Sequence, residues 1–168
     1  MKTTVQNIET ALYRSPFGVF EIESGSRGIR RVQLRTDIPD ADERIPASLQ
    51  RCVRQMEEYF TGRRQSFDLV LDLSTGTEFS QKVWTHLLEI PYGRTGTYLN
   101  IAEKMGDRNA VRAVGAANRS NPLAILVPCH RCIASNGDLQ GYFYGVDMKR
   151  RLLELENPLS FARQATLF

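Results

Sequence analysis

The sequence predicts an α/β first half, a short antiparallel sheet plus one helix, followed by a mostly α second half with a helix-turn-helix. Three observations predict it. Residues 8–35 alternate short apolar runs with turn residues. From Phe79 onward, apolar residues recur at helical spacing. And "TYLNIAEKMGDRNAVRAVGAANRS" has the layout of a helix, a tight Gly-containing turn and a second helix.

The elements follow in order. "ALYRSPFGVFEIESGSRGIRRVQL" is punctuated by Ser15-Pro16, Gly25 and Gly28, with partial alternation at Val19, Phe20 and Ile22 and at Ile29, Val32 and Leu34. A meander of three short antiparallel strands fits. The acidic connection "TDIPDADERIP" leads to a helix over 47–60 that stops at Thr61-Gly62, then a short extended piece at 67–71. "LSTGT" is a linker. Phe79, Val83, Leu87 and Ile90 mark the next helix, ended by Pro91-Tyr92-Gly93. Tyr98, Ile101, Ala102 and Met105 mark another, closed by Gly106, and a further helix spans 109–119 until Asn121-Pro122 breaks it. An extended apolar stretch enters "PCHRC", Ile133 onward reads as a hairpin arm turning at Asn136-Gly137, and a last helix covers 147–156 before Asn157-Pro158. The boundaries are a first lobe over 1–76, a second lobe over 77–156 and a tail over 157–168.

Composition narrows the class. The 168 residues are 42% hydrophobic and 24% charged, enough apolar mass for a real core. The longest apolar run, residues 123–127, ends at Pro128 and is far too short to span a membrane, and the first residues carry no apolar signal-like region. Three cysteines cannot make a disulfide scaffold, which points to a reducing, cytoplasmic setting. The net charge is +3, and residues 77–168 carry all of it, with eleven Lys/Arg against eight Asp/Glu. Such an excess permits a polyanionic partner for the second half without arguing for one.

The helix over 109–119 sorts into two faces. Ala110, Ala113, Val114 and Ala117 form a small apolar face for packing; Arg112, Gly115, Ala116 and Arg119 form the other, two cations flanking almost no side chain. A helix that reads bases in the major groove carries several long polar side chains. Cations and stubs suit close approach to the backbone or to the narrow minor groove, about 6 Å wide.

Cys129 in "PCHRC" admits three readings. Structural zinc wants four ligands in paired spacings; Cys129, His130 and Cys132 crowd one turn, and only Cys52 and His86, both within helices, remain. A thioredoxin-like C-x-x-C follows a strand and opens a helix, whereas here a hairpin arm follows. A nucleophilic thiol needs a base within reach, held by a carboxylate. His130 can serve through a water, and Glu156, at a helix C-terminus that disfavours an anion, is the candidate carboxylate.

"PCHR" at 128–131, preceded by "RAVGAANRSNPLAILV" and followed by "GYFYGVDMKRRLLELE", resembles the O6-alkylguanine-DNA alkyltransferases over roughly residues 77–156. The first half is similar in outline to the ribonuclease-H-like lobe of that family. The resemblance implies a DNA-repair methyltransferase, a suicide enzyme whose alkyl acceptor is Cys129. His130 would activate it through a bound water, Glu156 would orient His130, and Asn121 would buttress the turn. Tyr98 would help protonate the departing guanine. Arg112 would fill the space left by a flipped nucleotide, and Gly115, Ala116 and Arg119 would face the minor groove of double-stranded DNA containing alkylated guanine. The pocket would include Cys132, Tyr142, Phe143 and Tyr144. No cofactor and no metal are implied. A non-catalytic lesion-binding protein is the alternative, and relatives of that sort lack the acceptor cysteine.

The sequence departs from the family pattern at two places. Cys132 stands where valine or isoleucine is usual, a second thiol that could oxidise with Cys129. Phe143 and Tyr144 replace small residues, which would narrow the pocket and favour methyl over bulkier groups. In the tail, Gln164, Leu167 and Phe168 resemble the short peptides that bind the replicative sliding clamp.

Overall fold

The computed structural model describes residues 7–37 and 44–159. The tail residues expected to bind a clamp, Gln164, Leu167 and Phe168, lie outside them. The described chain forms two compact units: one runs to Thr75 and adds Pro122–Leu126, and the other comprises Gly76–Asn121 and Val127 onward.

In the first unit, β1 (Glu9–Ser15), β2 (Gly18–Gly25) and β3 (Gly28–Arg35) pair antiparallel in the order β1-β2-β3. The period-2 pattern puts Phe20, Ile22 and Ser24 of β2 on the buried face. On the other face Glu21 pairs with Arg31 (3.1 Å) and Arg35 (3.0 Å). Helix α1 (Ala47–Phe60) covers the buried face with Leu49, Cys52, Val53, Met56, Tyr59 and Phe60, an apolar stripe at i, i+3, i+4 and i+7 spacing. Phe60 meets Phe20 and Phe17 at ring separations of 5.7 and 5.1 Å. The extended piece expected over 67–71 reduces to one parallel bridge, Leu71 to Ile29, with Val70 and Asp72 exchanging backbone bonds with Ile29.

The segment after Asn121 completes this sheet. Leu123 bridges Val32 in parallel, with Val32 N–H donating to Pro122 and Ala124 N–H donating to Val32. So the apolar stretch is a strand-like graft onto β3, buried throughout.

In the second unit, α2 (Glu78–Leu88), α3 (Tyr98–Lys104) and α4 (Val111–Arg119) pack on one another. Thr77 caps α2 by accepting from Ser80 N–H, and Thr97 forms a reciprocal capping box with Asn100 on α3. The Trp84 indole donates to the Ala117 carbonyl at 2.8 Å and locks α2 to the end of α4. Gly106, with φ 85°, turns the chain between α3 and α4. The helix expected from residue 109 begins instead with a single 3-10 turn, Arg108–Ala110, and becomes α-helical at Val111. Within the α-helix the inward face is Val114, Ala117 and Asn118, while Ala110 is half-buried and Ala113, expected inside, is exposed because it lies at the margin of that face.

The expected hairpin arm is a two-residue strand, β5 (Cys132–Ile133), paired in parallel with β4 (Gly96–Thr97). A tight turn follows, in which Gly137 N–H donates to Ala134. Helix α5 (Val146–Glu156) closes the unit. Among the described residues no helix is long and apolar enough to cross a membrane.

Gly28 turns β2 into β3 at φ 121°, and a Cβ there would lie 2.4 Å from the Val70 carbonyl oxygen. Gly28→Ala should cost about 2–3 kcal/mol in urea unfolding. Gly62→Ala, at φ 74° with nothing within 4 Å of its Cβ, should cost only about 1 kcal/mol. Equal losses would show that the close approach at Gly28 does not matter.

Candidate active site

Two consecutive tight turns deliver Cys129. Ile125 has φ 71°, rare for a β-branched residue, and Leu126 N–H donates back to Ala124 at 2.8 Å, the three-residue geometry of a γ-turn. Pro128 (φ −80°, ψ 62°) then forms an inverse γ-turn, with Cys129 N–H donating to Val127 at 2.8 Å. Cys129–Arg131 make one 3-10 turn, and the Cys132 N–H donates to the Cys129 carbonyl. Asn121 secures the turn. Its side-chain amide donates to Val127 O at 2.9 Å and also hydrogen-bonds the Cys129 sulfur.

Glu156, the last residue of α5, is buried against this turn. Its Oε1 accepts from His130 Nε2 at 2.7 Å, and Arg131 holds both oxygens, Nε to Oε2 at 2.9 Å and Nη2 to Oε1 at 3.0 Å. Gly93 N–H reaches Oε2 at 3.3 Å. Arg131 also donates to Ile90 O at 2.7 Å and lies 5.8 Å from the Tyr92 ring centre. Burial alone would raise the Glu156 pKa, but the bonds and charge from His130 and Arg131 outweigh it and hold the carboxyl at about 2. Burial lowers the His130 pKa, against the pull of Glu156, so the imidazole is neutral. An ionised carboxylate only accepts, so Nε2 carries the hydrogen and Nδ1 the lone pair. That Nδ1 is buried with no hydrogen-bond partner among the described residues.

The thiol is surrounded by groups that tune it. Burial raises the Cys129 pKa, while the Asn121 hydrogen bond, the Lys149 charge and backbone N–H groups oppose that rise. Lys149 is fully buried, and its ammonium donates to Cys132 O, to Gln140 O (3.3 Å) and to the Tyr98 hydroxyl (3.5 Å). Tyr98 O–H donates to Gln140 O at 3.1 Å, and burial pushes its pKa up to about 12. Burial likewise pushes Cys132 to about 12. Tyr142 is buried near the sulfur, with its pKa raised by burial first and then by Cys129.

Of the residues the sequence singled out, Cys129, His130, Glu156, Asn121, Tyr98, Cys132 and Tyr142 therefore come together. Tyr144 is half-buried and edge-on to Tyr142, at 5.7 Å between ring centres. Phe143 is 61% exposed and packs edge-on against Tyr144 instead of lining the interior. Arg112, Ala116 and Arg119 are exposed on the outer face of α4, and Gly115 is half-exposed between them. His86 lies apart, half-buried beside Glu89 (3.2 Å), and no group of three His, Cys, Asp or Glu among the described residues could hold a metal ion.

Sequence reasoning missed Arg131 and Lys149. Arg131 stood inside the quoted motif, and a cation next to a histidine and a lone helical carboxylate was the available signal. Lys149 lies seven residues before Glu156, on the same face of α5 as the buried Leu152 and Leu153.

A carboxyl whose folded pKa is depressed stabilises the fold above its ordinary value of 4.5, and that stability is lost as pH falls toward about 2. Glu156→Gln leaves Arg131 buried without its counter-charge, so it should destabilise the protein by about 3–5 kcal/mol at pH 7. It should also flatten the loss of melting temperature between pH 4.5 and 2. Parallel wild-type and variant melting curves over that range would show the ion pair to be unimportant.

Residues 78–158 match the DNA-binding domain of the 6-O-methylguanine DNA methyltransferase family, and residues 8–73 match its ribonuclease-like domain. A methylated-DNA–protein-cysteine methyltransferase from Methanosarcina acetivorans is 43% identical over 151 residues, covering 87% of this chain and 96% of that protein. The crystal structure of the Mycobacterium tuberculosis O6-methylguanine methyltransferase superposes with a TM-score of 0.80 at 39% identity, covering 90% of this chain and 93% of that one. The structure of Mycobacterium tuberculosis OGT in complex with DNA gives 0.79 at 40% identity, covering 89% and 92%. With both lobes matched in order, and the relay of thiol, imidazole and carboxylate within them, this chain belongs to the 6-O-methylguanine DNA methyltransferase family.

Proposed function

We propose that this chain repairs DNA by direct reversal, moving the alkyl group from O6 of guanine to the Cys129 sulfur in one irreversible turnover. The observation that carries the reading is the buried relay. It consists of a thiol hydrogen-bonded by Asn121, and a neutral histidine whose Nε2–H is bound to an ionised Glu156 and whose Nδ1 can accept a proton.

The chemistry follows from those groups. His130 Nδ1 takes the Cys129 proton through a water, and Glu156 stabilises the imidazolium that forms. The nearby Lys149 charge and the Asn121 amide favour the thiolate. The sulfur attacks the alkyl carbon, so the S–C bond forms, the C–O6 bond breaks and the electron pair passes to the guanine. Tyr98, protonated at neutral pH, supplies a hydrogen bond and a proton to the departing ring. The proton taken up by His130 replaces, through solvent, the one Tyr98 gives up, so in sum sulfur exchanges a hydrogen for an alkyl group and guanine is restored. No group in the relay can hydrolyse a thioether, so each molecule reacts once.

Inside a base stack the alkyl carbon is out of reach of any in-line thiolate, so the nucleotide must be turned out, at a cost of a few kcal/mol. The outer face of α4 suits the minor groove for this purpose. A Cβ at Gly115 would meet nothing within 4 Å, which leaves the surface between Arg112 and Arg119 open to a close-lying backbone. Arg112 would occupy the space of the flipped nucleotide. Phosphate contacts of this kind make affinity fall with salt. The free, buried thiols suit a reducing intracellular setting. A lesion-binding protein without transfer is disfavoured because Cys129 is present.

Incubation with duplex DNA carrying one O6-methylguanine, followed by peptide mass spectrometry, should place one methyl on Cys129 per molecule. Tight lesion binding with no added methyl would sink transfer and leave the lesion-binding alternative. Tyr142 near the thiol, with Tyr144 packed edge-on against it, should also make inactivation by a free benzyl-type O6-guanine slower than methyl transfer from DNA by at least about tenfold. Rapid, tight inactivation would show that the aromatics do not narrow the pocket.

A further inference from the structure

Cys132 is a buried nucleophile that the chemistry above leaves idle. Its carbonyl receives the Lys149 ammonium, but its sulfur takes no part in alkyl transfer. The side chain is fully buried in β5, where an apolar group of similar size would pack as well. A thiol at this place therefore asks for a chemical use.

Its position relative to Cys129 is set by the backbone. Cys132 N–H donates to the Cys129 carbonyl, so the two cysteines stand at the ends of one 3-10 turn. A turn of that kind brings its end α-carbons within about 7 Å, and disulfides span α-carbons roughly 4.4–6.8 Å apart. Side chains at i and i+3 of a 3-10 turn also stand above one another. The surroundings agree. Both sulfurs act electrostatically on the Tyr98 hydroxyl and on the Lys149 ammonium, and Cys129 acts on Cys132 itself. Cys52 belongs to α1 of the first unit.

The relay that activates Cys129 toward an alkyl carbon also exposes it to oxidants, since the thiolate is the form they attack. Hydrogen peroxide is smaller than the alkylated base that the sulfur must meet. Left alone, a sulfenic acid on Cys129 is oxidised further to the sulfinic acid, which thiols do not reverse. We infer that Cys132 is the resolving residue of Cys129: after hydrogen peroxide converts the acceptor to its sulfenic acid, Cys132 closes a disulfide with it, a modification that thiol reductants undo. The inference rests on the function proposed above, whose relay supplies the thiolate. In the first step the thiolate takes a hydroxyl group from peroxide, the O–O bond breaks, and the hydroxide released takes up the proton held by His130. In the second, the Cys132 sulfur attacks the Cys129 sulfur, and its proton leaves with the hydroxyl as water. Two thiols are oxidised and one peroxide is reduced to two waters. For a protein that reacts once, this keeps an oxidised molecule available for repair.

The test treats the protein with a modest excess of hydrogen peroxide, blocks free thiols and digests with trypsin without reduction. Cleavage after Arg131 parts the two cysteines, so the disulfide joins residues 120–131 to residues 132–149. That linked pair should be the main product of Cys129, and dithiothreitol should separate it and restore methyl transfer. In Cys132→Val, recovery relative to that variant's own untreated activity should fall at least about threefold, with Cys129 found as the sulfinic acid. Sulfinic acid on wild-type Cys129 with Cys132 still free, or a link to Cys52, would overturn the inference, and the wild-type peptide map decides this even if the variant does not fold. Equal recovery with and without Cys132 would overturn it as well. No methyl transfer by the untreated wild type would remove the proposed function and this inference with it, whereas transfer without a linked pair after peroxide removes the inference alone.

Discussion

The second unit is organised around one buried carboxylate. Glu156 ends α5, where the helix dipole repels an anion, yet it is ionised there because Arg131 grips both oxygens and His130 adds a third bond. Each partner gains from the arrangement. Arg131 is carried into the interior with a full counter-charge, His130 is fixed in one tautomer, and the turn bearing Cys129 is fastened to the end of a helix more than twenty residues later in the chain. Without Glu156, two buried polar side chains would lose their shared acceptor, and the thiol would lose the orientation of its base.

The same turn is held from its other side by α4. That helix does two jobs on opposite faces. Its inward face, Val114, Ala117 and Asn118, is locked by the Trp84 bond to Ala117 and leads directly to Asn121 on the sulfur. Its outward face offers arginines separated by glycine and alanine, a surface that a backbone can approach closely. The helix that presents this outer face therefore also carries, just beyond its end, the residue that bonds the thiol.

Helical periodicity and turn residues were legible because they act locally. Residues 47–60 fold as the spacing of Leu49, Val53, Met56 and Phe60 requires, and Gly106 breaks α3 from α4 as its position indicates. The acceptor motif and its carboxylate were legible through residue type and order. Pairing across the fold was not. Lys149 in "DMKRRLL" looks like any solvated lysine, and only the packing shows it sealed beneath Tyr98 and Cys132 O. Asn118 carries no local signal either: an asparagine next to Arg119 reads as solvated, and only the packing of α4 shows it buried with Val114 and Ala117. The hairpin expected after Cys132 failed because β5 finds a parallel partner in β4, a choice made by distant chain.

The graft of Pro122–Leu126 onto β3 bears on the order in which the protein can be made. A ribosome releases the chain from the N-terminus, and domains tend to fold as they emerge. The first sheet cannot do so fully, because Leu71 covers the outer edge of β3 only at Ile29, and the segment that covers it at Val32 is synthesised some ninety residues later. Until then, β3 offers unpaired backbone groups, a template for pairing with other chains. The nascent first lobe must therefore wait, with an open edge, for the stretch that immediately precedes the reactive cysteine, and closing that edge leaves only Val127 and Pro128 before the turn that bears the thiol.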